Sequence, residues 1–164
     1  MNFKDKGTRM ITFRKAAIDD LEQVAHLMVR LHNPNNQKGE LTYEESVQEF
    51  PYFLNKGVFF VACDLDKIVA YVHGVIRTDY VEGSEQYRDP KVGYIESLFV
   101  LPAYRKQGIA KKLCSMLEAW SFKQGARELG SDAYAKNKSS IEFHTKGLGM
   151  SKSKNIVHFI KKLK

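Results

Sequence analysis

The stretch from residue 92 to residue 120 changes its periodicity once, and that change constrains the fold more than any other feature of the sequence. Val92–Val100 is a mostly apolar run with the length and pattern of a buried strand. After Pro102 the apolar residues recur at helical spacing instead, and they are Ile109, Leu113, Met116, Leu117 and Trp120. A strand that passes through a short polar turn into an amphipathic helix predicts a sheet covered by helices.

Further strands and helices follow from the pattern of the remaining chain. The other predicted strands are Met10–Ala16, Val58–Cys63, Ile68–Ile76, Glu128–Asp132 and Ile156–Ile160. The other predicted helices are Leu21–Leu31 behind an Asp19–Glu22 capping box, a helix from Thr42 (with Glu45 as its capping partner) toward Leu54, and Lys138–Lys146. The order β-α-α-β-β-β-α-β-α-β predicts a mixed sheet with helices packed on it, which is an α/β fold.

Length and composition limit the class of protein. A chain of 164 residues fits one domain, 1–164, with residues 1–9 as a loose N-terminal segment. With 43% hydrophobic and 27% charged residues, the composition excludes a disordered tail and a fibrous protein. No apolar run is long enough to span a bilayer, Met1–Arg9 lacks the apolar core of a secretory signal, and Cys63 and Cys114 lie among apolar residues. These features predict a cytoplasmic protein with no membrane partner.

The turn between the strand and the helix has the residues of a phosphate-binding site. The start of a helix presents backbone N–H groups without intrahelical partners, and its dipole favours negative charge. Gly108 and the small Ala110 allow a phosphate to approach this backbone, and Arg105 and Lys106 add positive charge beside it. The sequence lacks the motifs of a P-loop and of a dinucleotide-binding turn, so a different pyrophosphate cradle is predicted. A net charge of +7 agrees with an anionic partner but also suits a nucleic acid.

Arg105–Ala110 resembles the Arg/Gln-x-x-Gly-x-Gly/Ala signature of the GNAT superfamily of N-acetyltransferases, and Phe99–Arg105 is similar to the strand and turn that precede it there. The resemblance extends from about Met10 onward. It implies an α+β GNAT fold with a mixed, mostly antiparallel central sheet, helices on both faces, and acetyl-CoA as cosubstrate. The residues that it assigns to the cofactor are Phe99, Val100, Arg105, Lys106, Gln107, Gly108, Ile109, Ala110, Asn137, Ser140 and Phe143.

Several phrases narrow the resemblance to aminoglycoside 6′-N-acetyltransferases. Val92–Pro102 is similar to their strand before the cofactor turn, and Gly130–Ala133 is similar to their Ser-Asp segment. An aminoglycoside carries several ammonium groups, so its site needs carboxylates. The resemblance implies Glu96 as general base or substrate ligand and Asp132 as substrate ligand, with Asp79 and Glu82 of the polar loop as weaker candidates.

The expected reaction is direct attack of a primary amine on the acetyl carbonyl, without a covalent enzyme intermediate. Where many family members place a tyrosine that protonates the leaving thiolate, the nearest match is His144, in a segment that is one residue longer than usual. Its expected roles are that of the acid, of a cofactor contact, or of a polar helix residue. Tyr134 is a second hydroxyl donor in the same region, and Cys114 is expected in the core and not as a nucleophile.

Three alternatives remain open at the level of sequence. In the first alternative the protein is still an N-acetyltransferase, but its acceptor is a polyamine, an amino-acid derivative or a protein amine. In the second the protein is a basic nucleic-acid-binding domain, against which the lack of a recognition helix or zinc spacing argues. In the third it binds acetyl-CoA only as a regulator, which Glu96 and Asp132 make less favourable. The histidines lack paired ligand spacing, so no metal is predicted; a homodimer is expected only by resemblance.

Overall fold

The computed structural model describes residues 10–33, 41–78 and 91–152. The strands are β1 (Ile11–Lys15), β2 (Gly57–Asp64), β3 (Lys67–Arg77), β4 (Val92–Val100) and β5 (Leu129–Ser131). The helices are α1 (Leu21–His32), α2 (Tyr43–Lys56), α3 (Ile109–Lys123) and α4 (Lys138–Glu142), and α4 continues into a π-helical turn, Phe143–Gly147. Short 3-10 turns are formed by Ile18–Asp20 and Pro102–Tyr104. The predicted order is confirmed as far as α4, whereas residues 1–9 and the predicted strand Ile156–Ile160 lie outside the described residues.

The five strands form one sheet in the order β1-β2-β3-β4-β5. The pairs β1–β2, β2–β3 and β3–β4 are antiparallel, and β5 runs parallel to β4. The predicted mixed, mostly antiparallel sheet is therefore confirmed. The parallel pair of β4 and β5 is joined through α3, because parallel neighbours need a crossover connection.

Helices cover both faces of the sheet, as two adjacent residues of β3 show. The ring of His73 lies 5.3 Å from that of Phe53 in α2. A Cβ atom added to Gly74 comes within 2.3 Å of Leu117 in α3. Since successive residues of a strand point to opposite faces, α2 and α3 lie on opposite sides of the sheet. Glycine at position 74 lets α3 approach β3 closely.

Helix starts confirm one of the two predicted capping boxes. The Thr42 hydroxyl accepts a hydrogen bond from Glu45 N–H at 3.2 Å, and Glu45 Oε2 accepts one from Thr42 N–H at 2.7 Å. The helix α1 starts at Leu21 as predicted, but the predicted Asp19–Glu22 box is wrong, because a 3-10 turn precedes α1 and makes Asp20 its N-cap. Asp20 takes the capping role there, since its carboxylate accepts a hydrogen bond from Ala17 N–H at 2.8 Å.

Asp20 also makes a two-point ion pair with Arg14 of β1. The two guanidinium nitrogens lie 2.7 and 2.8 Å from the two carboxylate oxygens, and Asp20 is buried. The Arg14 guanidinium and the Ala17 amide together hold the pKa of Asp20 below its ordinary value. The pair joins the edge strand to the start of α1.

We expect Asp20→Asn to lower the free energy of unfolding by about 2 kcal/mol at pH 7, because a buried hydrogen-bonded charge is lost. A carboxyl whose pKa is lower in the folded than in the unfolded chain stabilises the fold above its unfolded pKa of about 4. That contribution is lost as the pH falls further, through the folded pKa. Urea unfolding at several pH values should therefore show the gap between wild type and variant closing below about pH 4.

The matched control for this experiment is Asp19→Asn, since Asp19 is an exposed carboxyl on the same turn. It should change stability by less than about 0.5 kcal/mol. A gap between wild type and Asp20→Asn that stays constant down to pH 3 would contradict the role given to the Asp20 charge.

Both cysteines are buried in the core, as predicted. Burial raises the pKa of the Cys114 thiol to about 12, so this group stays protonated and is unsuited to act as a nucleophile. Within residues 10–33, 41–78 and 91–152, no helix combines the length and apolar character that crossing a bilayer requires.

Candidate active site

A β-bulge at Glu96 sets the geometry of the site. On its N-terminal side Ile95 is opposite Gly74 of β3, and on its C-terminal side Ser97 is opposite His73. Glu96 is thus an extra residue without a partner in the neighbouring strand. Its side chain is exposed and makes no hydrogen bond or ion pair with any residue that the structure describes.

The same bulge changes which backbone groups of β4 face β5. Leu101 N–H donates to Val69 O of β3 at 2.9 Å. In an antiparallel ladder the hydrogen-bonded pairs alternate, so the N–H and C=O groups of Phe99 also point toward β3. Those of Leu98 and Val100 then point away from β3, toward the side of β5.

β5 reaches only the first half of β4. Its residues 129–131 are opposite Gly93, Tyr94 and Ile95, and Ser131 closes the last pair. Among the described residues, no strand pairs with β4 beyond that point. The N–H and C=O of Leu98 and the N–H of Val100 therefore lie on a strand edge beside a gap, and an extended amide-bearing chain can pair with this edge. The C=O of Val100 already accepts a hydrogen bond from Arg105 Nε.

The resemblance assigns Phe99 to the cofactor, but the backbone of Phe99 faces β3, so Phe99 has no main-chain group at the edge that faces the gap. Leu98 takes that place, and the sequence analysis did not select it. Counting alternate residues from Ile95 gives 97 and 99, and only the extra residue at the bulge shifts the free edge to 98 and 100. The side chain of Phe99 is buried in the core.

The predicted phosphate turn follows β4 and has an unusual backbone. Lys106 and Gly108 both adopt positive φ, at 59° and 78°. Left-handed residues in a turn curve the chain so that neighbouring N–H groups point inward as an anion-binding concavity. Helix α3 begins immediately after, with Gly108 as its N-cap, and its first N–H groups have no intrahelical partner.

Side chains hold this turn in place. The Tyr104 hydroxyl donates to Asp64 Oδ2 at 2.7 Å, which ties the turn to the end of β2. Arg105 Nε donates to Val100 O at 3.0 Å, so the arginine braces the turn against the strand edge. Gln107 Nε2 donates to Ala103 O at 3.2 Å within the turn.

Some of the predicted cofactor residues of this turn are buried in the core, and the others are exposed to solvent. Ile109 is buried, and Ala110 packs against the core. Lys106, Gln107 and Gly108 are exposed. A Cβ atom added to Gly108 meets no atom within 4 Å, so glycine is needed here for its backbone conformation and not for packing.

We expect Gly108→Val to raise the Kd for CoA at least about tenfold, or about 1.4 kcal/mol. Valine is strained at positive φ, and its branched side chain extends into the space in front of the helix amides. Isothermal titration with CoA measures this. Gly125→Val is the matched control because Gly125 also has positive φ, at 95°, but follows the other end of α3. Equal loss of CoA binding in both variants would refute the cradle.

The second predicted cofactor region is α4 with its π-helical turn. Asn137 caps the helix, since its Oδ1 accepts a hydrogen bond from Ser140 N–H at 3.0 Å. Phe143 packs against the core and touches Gly147. His144 Nε2 lies 3.0 Å from the Ser131 hydroxyl, so this helix contacts the end of β5.

The predicted helix Lys138–Lys146 is therefore regular only as far as Glu142. In the π-helical turn Leu148 N–H donates to Phe143 O, five residues back. Such a turn accommodates one extra residue in a helix, and it is frequent at functional sites. A one-residue insertion of the kind expected from the sequence in this segment is compatible with such a turn.

Asp132 lies directly after β5, and its partner is Tyr94 of β4. The Tyr94 hydroxyl donates to Asp132 Oδ2 at 2.5 Å, and the Arg77 guanidinium lies 4.7 Å from the centre of the Tyr94 ring. Tyr94 is buried, whereas Asp132 is exposed. The tyrosine fixes one carboxylate oxygen and leaves the other toward solvent. Sequence reasoning missed Tyr94 because it looks like an ordinary apolar strand residue.

Of the four predicted substrate ligands, the structure brings Glu96 and Asp132 to the same end of the β4–β5 pair. Glu96 follows Ile95 and Asp132 follows Ser131, and Ile95 and Ser131 are the last residues opposite each other. The other two candidates, Asp79 and Glu82, lie outside the described residues. In the part of the chain that the structure describes, no three His, Cys, Asp or Glu residues gather as a metal site.

The two histidines near the bulge differ in environment. His73 is buried opposite Ser97, and its ring stacks on Phe59 at 4.2 Å. Burial lowers the pKa of His73 to about 4, so this ring stays neutral and serves as packing under the bulge. His144 is half-buried and hydrogen-bonded at both ring nitrogens.

Comparison with known proteins identifies the family of this chain and several relatives. Residues 21–150 match the model of the acetyltransferase (GNAT) family. An aminoglycoside N(6′)-acetyltransferase type 1 from Salmonella typhimurium is 30% identical over 103 residues, covering 63% of this chain and 68% of the relative. The protein of that name from Acinetobacter haemolyticus is 35% identical over 95 residues, covering 58% of this chain and 63% of the relative.

Solved structures share the fold. The aminoglycoside antibiotic 6′-N-acetyltransferase AAC(6′)-Ih from Acinetobacter baumannii superimposes with a TM-score of 0.76 at 25% identity, over 94% of this chain and 100% of that one. AAC(6′)-Iy, in complex with a bisubstrate analogue, gives a TM-score of 0.75 at 23% identity over 94% and 99% of the two chains, and it supports the fold alone. The protein is an acetyl-CoA-dependent N-acetyltransferase. The chain belongs to the GNAT acetyltransferase family.

Proposed function

We propose that this chain transfers the acetyl group of acetyl-CoA to an aminoglycoside, at its 6′-amine. The relatives at 30 and 35% identity are named for this reaction, which supports the proposal. The observation that carries it is the pair of carboxylates at the start of the β4–β5 gap. Glu96 and Asp132 offer negative charge to a cationic acceptor beside the free edge of β4, even though the chain as a whole has a net charge of +7.

The residues present fit acetyl-CoA. The free edge of Leu98 and Val100 suits the amides of its extended arm, and the turn at Lys106–Gly108 with the first N–H groups of α3 suits its pyrophosphate. Exposed Lys106 and Gln107 lie on this turn, and Asn137, Ser140 and Phe143 belong to the helix on the other side of the gap. When bound, acetyl-CoA supplies an activated acyl group as a thioester.

The residues of the chain have distinct roles in the proposed reaction. Asp132, fixed by Tyr94, binds an ammonium group and orients the acceptor. Glu96 accepts the proton that the ammonium group must lose before the nitrogen becomes nucleophilic, and its exposed carboxylate passes that proton to water. The N–H of Leu98 points into the gap and stabilises negative charge on the acyl oxygen.

The experiment that tests the function is release of free CoA thiol from acetyl-CoA with a panel of amines. We expect kanamycin and tobramycin to react with kcat/KM values far above those of spermidine and of a lysine peptide. A kanamycin derivative without the 6′-amine should be inert if that amine is the acceptor. Preference for the polyamine or the peptide would replace the aminoglycoside by that acceptor class and leave the acetyltransferase activity standing.

Three further expectations stay predictions. One domain spans residues 1–164, the protein forms a homodimer, and it is located in the cytoplasm without a nucleic-acid partner. Sedimentation equilibrium tests the dimer, and retention on a DNA column at increasing salt tests the nucleic-acid alternative.

A further inference from the structure

Ser131 and His144 form a hydrogen-bonded pair whose direction is fixed by a third group. His144 Nδ1 lies 2.7 Å from the backbone oxygen of Ser140. A carbonyl oxygen only accepts, so Nδ1 carries the hydrogen in the neutral ring and Nε2 is left as an acceptor. Ser131 Oγ, 3.0 Å from Nε2, is then the donor. The serine proton therefore already points at a base.

The π-helical turn explains why His144 has this orientation. The regular ladder of α4 gives way to a π-helical turn after Glu142, and Ser140 O accepts from the Phe143 N–H as well as from the His144 ring. The Thr145 hydroxyl donates to Ile141 O at 2.8 Å in the same way that His144 Nδ1–H donates to Ser140 O. The ring of His144 is thus held by the backbone on one side, and its other nitrogen is directed toward β5.

Ser131 lies at the start of the gap that the proposed function uses. It is the last residue of β5 opposite β4. Its hydroxyl proton has two acceptors within reach, Ile95 O at 3.4 Å and His144 Nε2 at 3.0 Å, and the histidine nitrogen is the nearer one. One residue after Ile95 comes the bulge at Glu96, and one residue after Ser131 comes Asp132. The Ser131 hydroxyl is therefore placed between His144 and the position where the strands separate.

We propose that Ser131 and His144 form a proton shuttle that carries the second amine proton to the leaving sulfur; this inference rests on the proposed function. As the C–N bond forms, Ser131 Oγ takes a proton from the acceptor nitrogen and gives its own proton to His144 Nε2. As the C–S bond breaks, His144 returns that proton to Ser131, and Ser131 passes its proton to the sulfur. The pair ends in its starting state, so no net proton is consumed.

The shuttle and Glu96 divide the protons of the reaction. An acceptor ammonium group loses two protons in becoming an amide, and the thiolate gains one. Glu96 passes the first proton to solvent, and the shuttle moves the second from nitrogen to sulfur. The imidazole of His144 holds this proton only between formation of the C–N bond and cleavage of the C–S bond, and then returns it.

Kinetics of single and double variants test the coupling. We expect Ser131→Ala and His144→Gln each to lower kcat about 30-fold, below the usual range for an acid–base group because water replaces part of the relay. The double variant should be no slower than either single one, since the two residues act as a unit. The Kd for CoA should change less than about twofold in each. Ser139→Ala and His32→Gln are matched controls on exposed positions and should leave kcat unchanged.

Two readouts separate a shuttle from a merely structural contact. Nitrogen NMR of the free enzyme should show the Nδ1–H tautomer of His144, a result that does not depend on any substrate. With a slow amine from the panel, kcat in mixtures of H₂O and D₂O should indicate two transferred protons in wild type and one in Ser131→Ala.

The shuttle is overturned by an Nε2–H tautomer in wild type, by additive losses in the double variant, or by an unchanged isotope dependence in Ser131→Ala. Each of these results is compatible with an active acetyltransferase, so the proposed function survives them. If only an amine other than an aminoglycoside reacts, the same kinetics are measured with that amine. If no amine reacts, the proposed function fails and the shuttle fails with it.

Discussion

Replacing the backbone N–H of Leu98 by an ester oxygen is expected to lower kcat about 10²–10³-fold while the protein stays folded. This N–H points into the gap and away from β3, so its removal leaves the β3–β4 ladder intact. A hydrogen-bond donor that is already oriented toward developing charge contributes most in the transition state, so kcat should fall and the Kd for CoA should change little.

The matched control is the same amide-to-ester replacement one residue later, at Phe99. Its N–H faces β3, so the replacement should cost about 1 kcal/mol of stability and leave kcat within about threefold of wild type. The two semisynthetic proteins are compared by thermal unfolding and by single-turnover acetyl transfer. If Phe99 and not Leu98 proves sensitive in kcat, then the bulge does not set the edge as inferred. A genetically encoded variant, Leu98→Pro, removes the same N–H at an edge position where proline is tolerated.

The sequence was sufficient for the order of the elements as far as α4 and for the junction between β4 and α3. The strand Val92–Val100 and the helix after Pro102 have clear and different periods, and these local patterns survive in the fold unchanged. The structure confirms a helix start at Gly108, and the phosphate role of the residues around it stays a prediction. The capping box at Thr42 was predictable because its partner Glu45 is only three residues away in the sequence.

The features that the sequence did not reveal arise from one extra residue in a strand or in a helix. A bulge adds one residue to a strand without changing its composition, and here it moves the free edge from residues 97 and 99 to Leu98 and Val100. The π-helical turn adds one residue to a helix, and it directs His144 toward Ser131. In both cases the pattern of apolar residues is almost the same with and without the extra residue. Partners distant in sequence, such as Tyr94 and Asp132, emerge only when the strands are paired.

Glu96→Gln is expected to lower kcat/KM for the acceptor about 10²–10³-fold at pH 7, mainly through kcat. Glutamine keeps the size of the side chain and its ability to accept a hydrogen bond, but it cannot take a proton from an ammonium group. Because Glu96 is exposed at an unpaired bulge residue, the change should leave stability within about 0.5 kcal/mol of wild type. The loss should shrink as the assay pH is raised toward the pKa of the acceptor amine, since more of that amine is then neutral without a base.

Asp132→Asn distinguishes substrate binding from proton transfer. The variant removes the negative charge of Asp132, the carboxylate beside Glu96, and leaves Glu96 in place. The Tyr94 hydroxyl occupies Asp132 Oδ2, so this group is suited to hold an ammonium ion and poorly suited to take its proton. We expect Asp132→Asn to raise KM for the acceptor about tenfold with a small change in kcat, and with the same relative loss at every pH. If instead Glu96→Gln raises KM alone and Asp132→Asn lowers kcat in a way that high pH restores, then the two carboxylates have the opposite roles. The bulge would then place a binding group at Glu96, and Tyr94 would orient the base.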